Sequence, residues 1–288
     1  TTTDGKGEYF VARREKKGEE LARHLADIVT QSLRKLPIPK LMHWGDSEHQ
    51  FVRPVHGLIL LHGQHIVAGE VLGLQSGRTT QGHRFLSGGE IVIDHPDEYV
   101  AKLAAGKVIV DFSKRRATIA AQLDAAAGKL AARIHPADGL LDEVTSLVEW
   151  PAVYVGEFEA EYLEVPQECL ILTMQQNQKY FPLLDGQGRL LNRFLIVSNM
   201  QVADPVHIIR GNERVVRPRL SDARFFYDQD RKNGFAARVT SLGSVVYHHK
   251  LGSLGDRAQR MGRIARSIAE RLGAEAPLAE RAALFAKI

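Results

Sequence analysis

Arginine supplies most of the chemistry available to this sequence. Arg210, Arg214, Arg217, Arg219, Arg224 and Arg231 crowd one segment, and Arg257, Arg260, Arg263, Arg266 and Arg271 follow in another. A guanidinium presents planar donors that match the paired oxygens of phosphate, so such a run suits a polyanionic surface. With acids interspersed, the same pattern describes an ordinary solvated helix face, and charge alone does not choose between the two. Three other clusters mix aromatic, basic and glycine residues. Trp44-Gly45 precede Phe51-Val52-Arg53-Pro54-Val55-His56, where Trp44 and Phe51 could equally cap a core. Gly82-His83-Arg84-Phe85 lie on a polar stretch that also holds Arg78, and here an imidazole and a guanidinium could meet phosphate or only form a turn. In Gln178-Lys179-Tyr180-Phe181-Pro182 the polar heads could face a ligand, but packing is the simpler role.

Other chemistries find no support in the residue spacing. The 12 histidines show no H-E-x-x-H and no Cys/His ligand pattern, and the adjacent His248-His249 cannot share one helical face, so no metal site is expected. No G-x-S-x-G elbow, P-loop or G-x-G-x-x-G fingerprint occurs, and no catalytic residue is assigned. The single cysteine, Cys169, sits in Cys169-Leu170-Ile171-Leu172 and is read as a small core residue rather than a nucleophile. One cysteine excludes an internal disulfide framework and suits a reducing, cytoplasmic setting. No apolar run approaches the roughly 18 to 20 residues that span a bilayer, so no membrane association is expected.

These residues must be positioned by 288 residues, enough for about two domains with a large core. Residues 8–13 read as a strand and 18–35 as a helix with a buried stripe of Leu21, Leu25, Ile28, Val29 and Leu33. Residues 57–62 and 66–74 form a hairpin about Gly63-Gln64; 90–93 is a short strand; 97–105, 113–133 and 140–148 are helices, with Ser113 as N-cap of the second. Strand period returns at 152–158, Pro166 opens a helix to 175, and 178–184 and 190–198 flank the turn Asp185-Gly186-Gln187-Gly188. From Asp204 helices dominate, apart from an apolar stretch near Val245. Residues 204–288 carry 16 basic and 9 acidic residues, a balance of +7 within a chain of net charge +4. The break at Lys232-Asn233-Gly234 is the expected domain boundary. The chain begins without Met and stops inside an apolar helical pattern, which suggests a piece of something longer.

Several motifs, in this order and spacing, resemble one family. They are Leu36-Pro37-Ile38-Pro39-Lys40-Leu41-Met42 leading to Trp44-Gly45, the 51–56 and 82–85 clusters, Ser146-Leu147-Val148-Glu149-Trp150-Pro151, Gly211 to Ala223, and Asp222 to Lys232. Together they are similar to the beta subunit of bacterial heterotetrameric glycyl-tRNA synthetase. The resemblance implies an α+β domain over residues 1–232, like the B3/4 region of the phenylalanyl-tRNA synthetase beta subunit. That domain would have a mixed or antiparallel sheet and a helical insertion at about 97–148. Residues 233–288 would begin an all-α HD-like domain. It implies partners too: glycine tRNA and an alpha subunit, in an assembly of two alpha and two beta chains, where the alpha subunit uses ATP and this part holds no cofactor. Arg53, Arg78, His83, Arg84, Arg217, Arg219 and Arg224 would grip RNA phosphates and sugars. Asp256-Arg257 stands where an HD hydrolase has its first metal ligand, which argues against that activity. Glycine is also too small for a double sieve, so a grip is expected rather than editing. A hydrolase of aminoacyl-tRNA or nucleotide, and a subunit-docking module, are the rival readings.

Overall fold

Short strands and helices alternate along the first two thirds of the chain and give way to helices beyond it. The structure, a computed structural model, describes residues 2–4, 7–12, 14–232 and 234–288. It is a mixed α and β architecture assembled from several small sheets. The expected strand over 8–13 is observed as Gly7–Tyr9, and Arg13 and the boundary residue Asn233 lie outside the described residues. No helix among the described residues is long and apolar enough to cross a membrane.

The chain divides into two compact units that interleave in sequence: residues 1–122, 141–152 and 197–202 in one, and 123–140, 153–196 and 203–288 in the other. This partition by contact differs from the sequence division at 232, because the chain passes between units within helix Phe112–Lys129 and within strand Leu190–Ser198.

In the first unit, strand Leu58–Ile59 pairs in parallel with Leu74–Gly77, which pairs antiparallel with Glu70–Val71. The predicted hairpin survives in shortened form, with Leu61 opposite Ile66 and His62 opposite His65 around Gly63-Gln64. A second hairpin sets Thr79–Gln81 against Glu90–Val92, with Gln81 opposite Glu90. Ile93, Leu103, Ile119 and Val144 are buried in this unit. The amino-terminal helix is shorter than predicted, Leu25–Arg34, and its stripe is only partly covered: Leu21 and Ile28 are exposed. The N-cap of helix Phe112–Lys129 is also not Ser113. Asp111 Oδ1 accepts the Lys114 amide at 2.9 Å, one of the donors a helix start leaves free, and Ser113 falls inside the first turn.

In the second unit a four-stranded sheet runs in the order Arg133–Ile134, Phe181–Leu184, Leu190–Ser198, Ala152–Glu157. The pairing across the Asp185–Gly188 turn is antiparallel. Helices Gln167–Gln178 and Val206–Lys232 bury Leu170, Met174, Val216 and Leu220 in one core with Phe194 and Tyr180. Cys169 lies on the first of these helices and is exposed, against expectation. One residue is about 100° of helical rotation, so the core position falls to Leu170 while Cys169 turns outward. Further on, Val246–His248 pairs with Gly252–Ser253, followed by helices Leu254–Arg271 and Ala276–Phe285.

Candidate nucleic-acid interface

The loop 82–87 of the first unit is built around a buried histidine. His83 is 1% exposed. Its Nδ1 accepts the amides of Phe85 and Leu86, both at 3.2 Å, so the ring proton sits on Nε2, which donates to the Asn199 carbonyl at 2.6 Å. The His83 amide donates to the Gly106 carbonyl at 2.8 Å, and the His83 carbonyl accepts from Ser87 at 2.9 Å. Glycine is required beside it, because a Cβ on Gly82 would fall 2.5 Å from the Gly106 carbonyl oxygen and 2.5 Å from Ser87 Oγ. Asn199 is pinned in turn, its Oδ1 accepting the amides of Glu149 at 2.6 Å and Trp150 at 3.0 Å. What this scaffold leaves outside is Arg84 and Phe85, the latter 72% exposed. The contact role expected of His83 is therefore a strut's role: both ring nitrogens are engaged within the fold and the ring has no access to solvent.

The other predicted cations of this unit differ in availability. Arg53 is exposed and its guanidinium donates to the neighbouring Val52 carbonyl at 2.9 Å. Arg78 is half-buried and held by the Gln64 carbonyl at 3.1 Å and Asp94 at 3.5 Å. Asp94 also meets Lys102 at 3.1 Å, and Lys102 reaches Glu98 at 2.7 Å. The Lys102 ammonium holds both carboxyls below their ordinary range, and they in turn raise Lys102.

In the second unit the arginines lie on helix Val206–Lys232. At about 100° per residue, Arg210, Arg214, Arg217, Arg224 and Arg231 fall within roughly 100° of arc, while Asn212, Val216, Leu220, Ala223 and Tyr227 form the flank turned to the core. Arg219 is not part of this stripe, since two residues of rotation place it about 160° from Arg217. Tyr180, a candidate ligand contact, is buried beside this helix, and its hydroxyl donates to Asn212 Oδ1 at 2.7 Å. Burial pushes its phenol up to about 12. Arg210 and Arg214 were absent from the predicted set, although their i, i+4, i+7 spacing to Arg217 was visible in the sequence.

The stripe has acidic company. Arg217 Nε lies 2.5 Å from Glu159, and Arg224 meets Glu161 at 3.2 Å, Glu164 at 3.3 Å and Asp228 at 4.0 Å. Among the described residues, no carboxylate lies within ion-pair distance of Arg210, Arg214 or Arg219. Farther along, Asp256 forms a capping box: its Oδ2 accepts from the Ser253 amide at 2.8 Å, and Ser253 Oγ accepts the Asp256 amide at 3.1 Å. These hydrogen bonds from Ser253 lower its pKa.

A family model described as "Glycyl-tRNA synthetase beta subunit" matches residues 1–288. This chain belongs to that family. The glycine–tRNA ligase beta subunit of Neisseria meningitidis serogroup C (strain 053442) is 55% identical over 285 residues, 99% of this chain and 42% of the relative. That of Aromatoleum aromaticum is also 55% identical over 285 residues, covering 99% and 41%, and that of Dechloromonas aromatica is 52% identical over 298 residues, covering 99% and 42%. The chain thus spans about two fifths of the length of these glycyl-tRNA synthetase beta subunits.

Proposed function

We propose that this chain is a tRNA-binding, non-catalytic part of glycyl-tRNA synthetase, supporting the ATP-dependent attachment of glycine to its tRNA by an alpha subunit. The observation that carries the reading is the stripe of five arginines on one side of a helix whose 27 residues extend about 40 Å. Arginines at such intervals neutralise successive phosphates without reading bases, which is positioning rather than recognition. In this reading Arg53 and Arg84 add contacts from the first unit, His83 orders the loop that presents Arg84, and Arg217 and Arg224 exchange carboxylate partners for phosphates. Arg78 steadies the fold, and Arg219 lies off the binding side. Residues 1–232 correspond to a B3/4-like domain and 233–288 to the start of an HD-like domain. The working assembly has two alpha and two beta chains in the cytoplasm, with ATP bound by alpha.

The test is binding of glycine tRNA across a salt series. Seven phosphate contacts, five from the stripe and two from Arg53 and Arg84, give a slope of log affinity against log salt of about −5 to −6. Charge reversal at Arg210 and Arg214 together should weaken binding at least about 10-fold, while Arg219→Glu leaves it nearly unchanged. Binding indifferent to salt, or equally sensitive to Arg219, overturns the stripe as the grip. Loss of alpha-subunit association with tRNA affinity intact would assign the stripe to docking instead.

A further inference from the structure

Three cavities of the first unit share walls. The first, about 450 Å³, is lined by Ile59, Leu61, Ile93, Pro96 and Tyr99, and shares Gly57, Thr79 and Thr80 with the second, about 400 Å³. The second also holds Gln75 and Glu90, and shares His56 and Gln81 with a third of about 470 Å³ that ends at Gly82 and Arg84. Taken together as one groove, their lining changes in character from one to the next: apolar and aromatic in the first, hydroxyl and amide with a single carboxylate in the second, cationic in the third. Each part lies within the roughly 300–1,000 Å³ typical of small-molecule sites.

Gly57 is the second observation. It lines both of the first two cavities, and a Cβ built on it meets no atom within 4 Å. Neither packing nor a left-handed backbone accounts for glycine there. A larger side chain at this position would project into the open space that both cavities border. The backbone at the Arg84 end is tied down by the close approach of Gly82 to Gly106 and by the His83 bond to Asn199.

We propose that this groove binds one ribonucleotide unit. The base lies against Tyr99, Ile59 and Leu61, the sugar passes Gly57 and Thr80, and the phosphate meets Arg84 and His56. The direction is fixed by charge. Glu90 repels a phosphate but accepts hydrogen bonds from ribose hydroxyls, so the phosphate belongs at the arginine end and Glu90 selects ribose over deoxyribose. The titratable groups lining the groove are His56, Arg84, Glu90 and Tyr99. The chemistry is common to an unpaired RNA end and a free nucleotide. The RNA source rests on the tRNA-binding reading above, whereas the nucleotide chemistry does not.

The intact chain should be titrated with AMP, CMP, their 2′-deoxy forms, adenosine and inorganic phosphate, following amide shifts by NMR. Ribonucleotides should saturate, with shifts at Thr79–Gln81 and Arg84, and the deoxy forms and adenosine should bind about 10-fold more weakly. Arg84→Ala should erase the advantage of the phosphate, Glu90→Gln the advantage of ribose. Gly57→Ile should block binding, with an unfolding midpoint equal to that of the parent. No saturable nucleotide binding, or saturation indifferent to all three variants, overturns the proposal. Intact glycine tRNA binding about 10-fold more tightly than tRNA trimmed of its unpaired end, with that difference lost in Gly57→Ile, identifies an RNA end as the occupant. AMP binding that depends on Arg84 with trimmed and intact tRNA bound alike identifies a free nucleotide. Nucleotides failing while salt-sensitive, Arg210-dependent tRNA binding persists sinks the groove and leaves the helix stripe standing.

Discussion

His83→Ala separates a strut from a contact. The substitution removes one donor to the Asn199 carbonyl and one acceptor for two amides, and each side chain–backbone hydrogen bond contributes about 0.5–1.5 kcal/mol. The 3.2 Å bonds to Phe85 and Leu86 belong at the weak end of that range and the 2.6 Å bond at the strong end. Leaving the Asn199 carbonyl without this donor adds to the loss, and about 3 kcal/mol in all is expected. At roughly 2–4 °C per kcal/mol the unfolding midpoint should drop by about 6–12 °C. Arg84→Ala, on the exposed side of the same loop, should cost under about 0.5 kcal/mol and yet weaken tRNA binding several-fold. Thermal and urea unfolding of both variants, beside tRNA titrations at low temperature where both remain folded, give the comparison. If His83→Ala keeps its stability within about 0.5 kcal/mol while losing affinity as strongly as Arg84→Ala, the imidazole touches RNA and the strut argument is wrong.

Two further outcomes follow from ionisable groups elsewhere. Tyr180 titrates at about 12 in the fold against roughly 10 when unfolded, so its stabilising contribution is complete below pH 10 and disappears as pH rises toward 12. Tyr180→Phe should remove that alkaline decline and lower stability at neutral pH by about 1 kcal/mol through the lost bond to Asn212; parallel pH profiles for the two proteins would contradict it. Lys102 lowers the pKa of Asp94 and Glu98, so their contribution is present above the ordinary carboxylate pKa and lost as pH falls through the lowered values. Lys102→Met should return both carboxyls toward the ordinary range in an NMR titration and flatten the acid limb of the stability profile.

Local features were the legible ones. The Asp185–Gly188 hairpin, the two-residue Gly63-Gln64 turn and the run of carboxy-terminal helices could be read because each depends on residues within a few positions. The candidate site depended on distant partners. Nothing near Gly82-His83-Arg84 announces that Asn199, 116 residues beyond His83, receives its imidazole, so a loop histidine read as exposed became a buried one. Arg115 on helix Phe112–Lys129 is similar, since it bends back to the carbonyls of Thr145, 30 residues beyond, and Ile109. Arg219 differs for another reason: it neighbours Arg217 in sequence, but a helix puts residues two apart on nearly opposite sides, so the two do not share a face.

The pairing of Arg217 with Glu159, and of Arg224 with Glu161 and Glu164, has a consequence for how these guanidiniums discriminate among anions. The glutamates are tethered competitors, present at an effective concentration that the fold sets rather than the solution. A lone phosphate or chloride ion must displace them one at a time and gains little by it. A polyanion that first lands on Arg210 and Arg214, which no carboxylate among the described residues approaches to ion-pair distance, then meets the glutamates with its own phosphates already tethered alongside. In the proposed tRNA-binding role the helix therefore ranks anions by length and spacing before any base is read.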